Sequence, residues 1–198
     1  MTHEEEMVII AKVLAGEHNA YEQLVLAHQD KIYGLALKLL HNAQDAEDIA
    51  QEVFVKAFTG LQAYRGEARF SVWLYRMTYN MCIDRTRRAK RAPLQMPHAE
   101  EVEFDIKDPS LTPEELLLQR ETRDAIERGL QTLPQNQREI LILREVTGMS
   151  YADIAATLGI GEGTVKSRIS RARDALVEYL KRDGTISRAK RHKRGKGE

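Results

Sequence analysis

Residues Ser150–Leu180 read SYADIAATLGIGEGTVKSRISRARDALVEYL. Two helices joined by a glycine turn account for every part of this stretch. Ser150, with Asp153 three residues on, has the form of a capping box and opens a helix. Ile154, Ala155 and Leu158 give that helix one apolar face. Gly159-Ile160-Gly161 ends it, because glycine takes the left-handed backbone that closes a helix. A second helix begins near Glu162. Val165, Ile169, Ala172, Leu176 and Leu180 recur along it at spacings of four, three, four and four, the period of one buried stripe. Its other side carries Thr164, Lys166, Ser167, Arg168, Ser170, Arg171 and Arg173. A short helix, a tight turn and a basic second helix form the pattern of a helix-turn-helix. A helical hairpin with solvated arginines would explain the charges. It would not explain why cap, turn and stripe agree.

The chain as a whole reads as all-α. Its 198 residues suffice for one or two small domains with real cores, and five prolines with few β-branched runs leave little room for sheet. Thr112, Pro113 and Glu115 cap a helix running to about Thr132, with Leu116, Leu117, Ile126 and Leu130 as core candidates. Leu133-Pro134 marks a boundary. The next helix, Gln135 to Val146, carries Ile140, Leu141 and Leu143, and Gly148 separates it from the helix-turn-helix. Upstream, Ala92–Pro113 holds four of the five prolines and the acids Glu100, Glu101, Glu103, Asp105 and Asp108, the composition of a linker.

The N-terminal part shows four helical patterns. Glu4–Ala15 places Met7, Ile10, Val13 and Leu14 on one side, and Asn19–Leu40 follows up to a break at His41-Asn42. Ala43–Phe58 (AQDAEDIAQEVFVKAF) lines up Ala46, Ile49, Ala50, Val53, Phe54 and Ala57 and is acidic on much of the rest. Spacing alone favours an ordinary solvated face for those acids. Gly60–Phe70 reads as a loop. Ser71–Lys90 (SVWLYRMTYNMCIDRTRRAK) then steps Leu74, Met77 and Met81 toward a core. Trp73, Tyr75, Arg76, Tyr79 and Asn80 cannot all share that face. Aromatic rings interleaved with basic residues suit single-stranded nucleic acid, since rings stack on bases and cations neutralise phosphates. The predicted organisation is therefore two small helical domains, 1–91 and 113–182, joined by a flexible acidic linker, 92–112. A basic disordered tail, 183–198, follows.

Composition narrows the function. The formal net charge is zero, but residues 91–118 hold seven acids against two basic residues and residues 181–198 eight basic against two acidic. Local basic faces, not the total, decide nucleic-acid binding. Cys82 is the single cysteine, so an internal disulfide and a cysteine-based zinc site are excluded, and it reads as a packing residue. His28 and His41 lack a second ligand at metal spacing. No phosphate loop, His/Cys cluster or nucleophile elbow is present, so neither catalytic residue, metal nor cofactor is expected, nor a small-molecule substrate. No apolar run approaches a membrane span, the N-terminus MTHEEEM is not a signal peptide, and the expected location is cytoplasmic.

Taken together, DAEDIAQEVFVKAF, FSVWLYRMTYNMCIDRTRR and LPQNQREILILREVTGMSYADIAATLGIGEGTVKSRISRARDAL resemble, in this order, a bacterial sigma factor of the extracytoplasmic-function (ECF, group IV) class of the sigma-70 family. The resemblance spans roughly residues 8–180. It implies a region 2 domain whose acidic surface, Asp45, Asp48, Gln51 and Glu52 here, docks on the β′ clamp of core RNA polymerase, with the β subunit as a further contact. It implies capture of flipped bases of the −10 element by the loop Tyr64–Phe70, with Arg65 and Gly66, together with Trp73, Tyr75, Arg76 and Asn80, and with Arg87 and Arg88 as basic support. It implies a region 4 domain whose recognition helix enters the major groove of the −35 element. Lys166, Ser167, Ser170 and Arg171 are the base-facing candidates, and Arg144, Thr164 and Arg173 the phosphate candidates. It also implies an anti-sigma partner, in some cases membrane-anchored, and a linker that enters the polymerase cleft. Gly161 departs from the family, which often has Pro or Ser there. The rival reading, a helix-turn-helix regulator binding an operator as a dimer, explains residues 150–180 and leaves the acidic helix and the Trp73–Asn80 surface unused.

Overall fold

The computed structural model describes residues 1–91 and 112–186, and every regular element among them is helical. The helices are α1 (His3–Leu14), α2 (Tyr21–Leu40), α3 (Ala43–Gly60), α4 (Phe70–Arg91), α5 (Pro113–Thr132), α6 (Gln135–Thr147), α7 (Tyr151–Leu158) and α8 (Glu162–Arg182), with short 3-10 turns at His18–Ala20 and Leu61–Ala63. The expected linker up to residue 111, and the expected tail beyond residue 186, lie outside the described residues. Of the described residues, 1–91 with 142–153 form one compact unit and 112–141 with 154–186 the other. The boundary falls inside α6, whose run Ile140–Leu143 is buried at all four positions.

Local chemistry sets the helix ends. Thr112 accepts from the Glu115 amide, and the Glu115 carboxylate accepts from the Thr112 amide at 2.8 Å, the reciprocal box the sequence predicts. The same device opens α1, where Thr2 pairs with Glu5. The break at His41-Asn42 has two parts. His41 closes α2 in the left-handed region at φ 53°, and the Asn42 side chain accepts from the Asp45 amide at 2.8 Å to open α3.

In the first unit α2 packs against α1, α3 and α4, and Leu24, Ile32, Leu35, Val53, Leu61, Phe70 and Leu74 are buried at its centre. Two expectations need correction. On α1 the inward face is Glu6, Ile9, Ile10 and Val13, while Met7 and Leu14 are exposed. Hydropathy rejects a glutamate, but its carboxylate is satisfied inside by His28 Nε2 at 2.9 Å. On α5, Leu117 and Ile126 are exposed and Ala125 and Gly129 are buried. There α8 crosses so closely that a Cβ at Gly129 would lie 2.6 Å from Leu176 Cδ1 and 2.8 Å from Tyr179 Cδ1. A small residue is what this crossing needs. The second unit's core joins Leu133, Leu141 and Ala172, with Leu130 and Leu176 against them.

Burial lowers the pKa of His28 from 6.5, against the opposing pull of Glu6. The unfolded chain therefore takes up this proton first as pH falls, so the stability contributed by neutral His28 is complete above pH 6.5 and declines below it. Thermal melts between about pH 7.5 and 5 should show this decline, and it should shrink in a Glu6→Leu/His28→Leu variant.

Candidate nucleic-acid interface and docking face

Three surfaces carry the residues singled out from the sequence. The first is the helix-turn-helix. The Ser150 hydroxyl accepts from the Asp153 amide at 3.1 Å and donates to its carboxylate at 2.6 Å, fixing the start of α7. Gly159 sits at φ +65°, where a side chain would be strained, and Ile160 N–H closes on the Ala155 carbonyl. Gly161 caps α8 with no side-chain hydrogen bond. Val165, Ile169 and Ala172 are buried, so α8 turns Thr164, Lys166, Ser170, Arg171 and Arg173 to the exposed side. Ser167 is half-buried and donates back to the Thr164 carbonyl at 3.0 Å. Arg144 is engaged within the protein. It donates to the Met149 carbonyl and its guanidinium lies 5.2 Å from the Tyr151 ring centroid, so it braces the turn into α7.

The second surface begins where α4 begins. Tyr64 donates through its hydroxyl to the Ala68 carbonyl at 2.6 Å, closing a small loop around Gly66, which stands at φ +73°. The Tyr64 ring lies 5.2 Å from Trp73 and 5.6 Å from Phe70, and Phe70 lies 5.6 Å from Trp73. Tyr64 and Trp73 are half-buried, Arg65 and Asn80 exposed, and Arg76 half-buried. Phe70 and Tyr75 do not stand at this surface. Both are buried, at 0% and 3% exposure, and they form its floor. Arg87 and Arg88 are exposed near the end of α4, Arg87 3.8 Å from Asp84. Burial, and after it the Glu6 carboxylate, push the Tyr64 hydroxyl up to about 12, so it stays protonated and donating at neutral pH. Burial likewise pushes the Cys82 thiol up to about 12, in line with a packing role.

The third surface is the acidic side of α3. Asp48, Gln51 and Glu52 are exposed and Asp45 is half-buried. The structure sets two cations against these acids. Arg85 of α4 pairs with Asp45 and reaches Asp48 at 3.5 Å, and Lys56 pairs with Glu52 at 2.8 Å. Lys56 is legible as an i,i+4 partner. Arg85 is not, because it stands forty residues from Asp45 and only the α3–α4 packing brings it there. Among the described residues no group of three or more His, Cys, Asp and Glu side chains could hold a metal ion, and no helix is long and apolar enough to cross a membrane.

Comparison with known proteins covers both halves of this arrangement. Residues 24–92 match the family described as Sigma-70 region 2, and residues 123–176 match Sigma-70, region 4. The chain is 38% identical over 185 residues to the RNA polymerase sigma-H factor of Pseudomonas aeruginosa, covering 91% of this chain and 96% of that protein. It is 33% identical over 184 residues to the ECF RNA polymerase sigma factor SigW of Bacillus subtilis, covering 89% and 98%. Among solved structures it is similar to the sigma factor RpoE of Bartonella quintana in complex with the anti-sigma factor NepR, at TM-score 0.63 and 26% identity, over 81% of this chain and 96% of that one. Two helical units, a helix-turn-helix and these matches along the length converge: the chain belongs to the ECF class of sigma-70 family RNA polymerase sigma factors.

Proposed function

We propose that the chain directs core RNA polymerase to promoters by a division of labour between its two halves, acting in the cytoplasm. It is a transcription initiation factor and not an enzyme. Residues 113–182 hold the −35 element. Lys166, Ser167, Ser170 and Arg171 face base edges, and Thr164 and Arg173 phosphates, with Arg144 supporting the turn. Residues 1–91 dock on the β′ clamp through Asp45, Asp48, Gln51 and Glu52. Tyr64, Arg65, Gly66, Trp73, Arg76 and Asn80 capture −10 bases, Phe70 and Tyr75 hold that surface in shape, and Arg87 and Arg88 attract the strand. The observation that carries this reading is the co-occurrence in one chain of an exposed polar and basic face on α8 and an aromatic cluster at the mouth of α4. A dimeric operator-binding regulator has no use for the second. Opening needs no ATP, because capture of unstacked bases offsets a cost of roughly a few kcal/mol per step.

An anti-sigma factor is the second partner proposed, by analogy with RpoE bound to NepR. The test of the reading is reconstitution. Sigma-free core polymerase with this chain should give promoter-specific transcripts, and tight dimeric binding to an operator without initiation would remove the sigma assignment.

Two further outcomes are expected. Arg171→Ala should cost about 1–3 kcal/mol and relax selectivity at one −35 position, measured by binding to a set of single-base variants. A uniform loss on all sequences would make it a phosphate contact. Arg85→Ala should unmask Asp45 and Asp48. Core binding should strengthen a few-fold at low ionic strength and depend more steeply on salt, while helicity stays unchanged.

A further inference from the structure

The match to region 2 starts at residue 24, so α1 lies ahead of it. Yet α1 reaches the aromatic cluster at two points. Met7 lies against the loop, since a Cβ on Gly66 would stand 3.5 Å from Met7 Cε. Glu6, one residue earlier, is 5% exposed and accepts a hydrogen bond from His28 Nε2–H at 2.9 Å, with His28 7% exposed. The His28 ring meets the Phe70 ring edge-on at 5.8 Å, and Phe70 in turn meets Tyr64 and Trp73. A continuous chain of contacts thus runs from a buried carboxylate on α1 to the two half-buried rings assigned to base capture.

Stability does not require a polar pair here. A buried hydrogen-bonded pair is often replaced by apolar residues of similar volume at little cost, whereas losing one partner is expensive. What the pair does supply is direction: a 2.9 Å bond fixes the rotation of α1 on α2 and the tilt of the imidazole against Phe70. The charged and titratable groups that face it are His3, whose Nδ1 is 3.8 Å from the other Glu6 oxygen, Lys31, the amino terminus, Tyr64 and Tyr75.

We propose that Glu6 and His28 are positioning residues for −10 opening, holding the Tyr64–Phe70–Trp73 cluster in its base-receiving arrangement from beneath. This rests on the functional reading above. The chain has one tryptophan, Trp73, so its emission reports directly on the cluster. Three forms of the full-length chain are compared: wild type, Glu6→Gln, which keeps an acceptor for Nε2–H, and Glu6→Leu/His28→Leu, which keeps the volume and removes the bond. Trp73 emission is read on the free protein. Core affinity, and permanganate reactivity of −10 thymines on duplex and on pre-opened promoter, are read in the holoenzyme. The double leucine form should keep its helicity and core affinity, shift the Trp73 emission, and open duplex promoter at least about tenfold less, with opening restored on the pre-opened template. Glu6→Gln should stay within about twofold of wild type in emission and opening. An unshifted emission with normal opening in the double leucine form would overturn the proposal, as would a loss in Glu6→Gln equal to that of the leucine pair. Should the leucine pair not fold, Glu6→Gln/His28→Leu, which removes the bond without leaving a buried carboxylate, takes its place under the same criteria. Failure of wild type to open any promoter would instead strike the sigma reading, and the emission shift would still decide whether the pair positions the cluster.

Discussion

Replacing Phe70 by Ala is expected to lower the unfolding free energy by about 3–5 kcal/mol. Phe70 has no exposed surface, and the rings of His28, Tyr64 and Trp73 all rest on it at 5.6 to 5.8 Å. The loss combines the transfer of a large apolar side chain, the cavity it leaves and three ring contacts. Small domains hold a net stability of only about 5–15 kcal/mol, so the variant should sit close to the edge of folding at 37 °C. Urea melts followed by circular dichroism check this. Val55→Ala, at a position 63% exposed, is the control and should stay within about 0.5 kcal/mol. Function should suffer in parallel. At low temperature, where the variant stays folded, Tyr64 and Trp73 lose their floor and −10 opening should drop while core affinity holds. Normal opening by a folded Phe70→Ala protein would show that the cluster is only core.

Ile169→Ala should cost about 2–5 kcal/mol and abolish −35 binding through loss of structure. Ile169 is the middle of the α8 stripe, flanked by Val165 and Ala172, and all three are at most 1% exposed. Without it α8 has no fixed rotation, and the exposed face that carries Lys166, Ser170 and Arg171 loses its aim. Arg171→Ala separates the two effects, because it should leave the urea midpoint unchanged while altering base selectivity. An Ile169→Ala protein as stable as the parent would mean that α8 is held by something other than this stripe.

The helix-turn-helix was legible because everything that defines it is local. Ser150 and Asp153, Gly159, and the Val165–Ile169–Ala172 spacing are all within one turn or two of what they act on. The Thr112–Glu115 box was legible for the same reason. The readings that failed depend on partners distant in sequence. Glu6 faces inward because His28, twenty-two residues away, receives it. Leu117 and Ile126 stay outside because Gly129 lets α8 approach and so fixes the buried side of α5. The resemblance implies Phe70 and Tyr75 as base-capturing residues, yet both are buried, Phe70 against the rings of His28 on α2 and Tyr64 in the loop. Arg85 is not legible as part of the docking face, because a helix-local pattern cannot show which residue of α3 it meets.

In the proposed division of labour, one chain holds an upstream element while its own aromatic cluster opens the strand downstream. Permanganate footprinting of duplex promoter with core RNA polymerase tests it most directly, with and without this chain and in the absence of nucleoside triphosphates. The −10 thymines should become reactive only with the chain present, and Tyr64→Ala/Trp73→Ala should remove this reactivity while protection of the −35 element remains. Protection at −35 with no reactive thymine in the wild-type complex would contradict it.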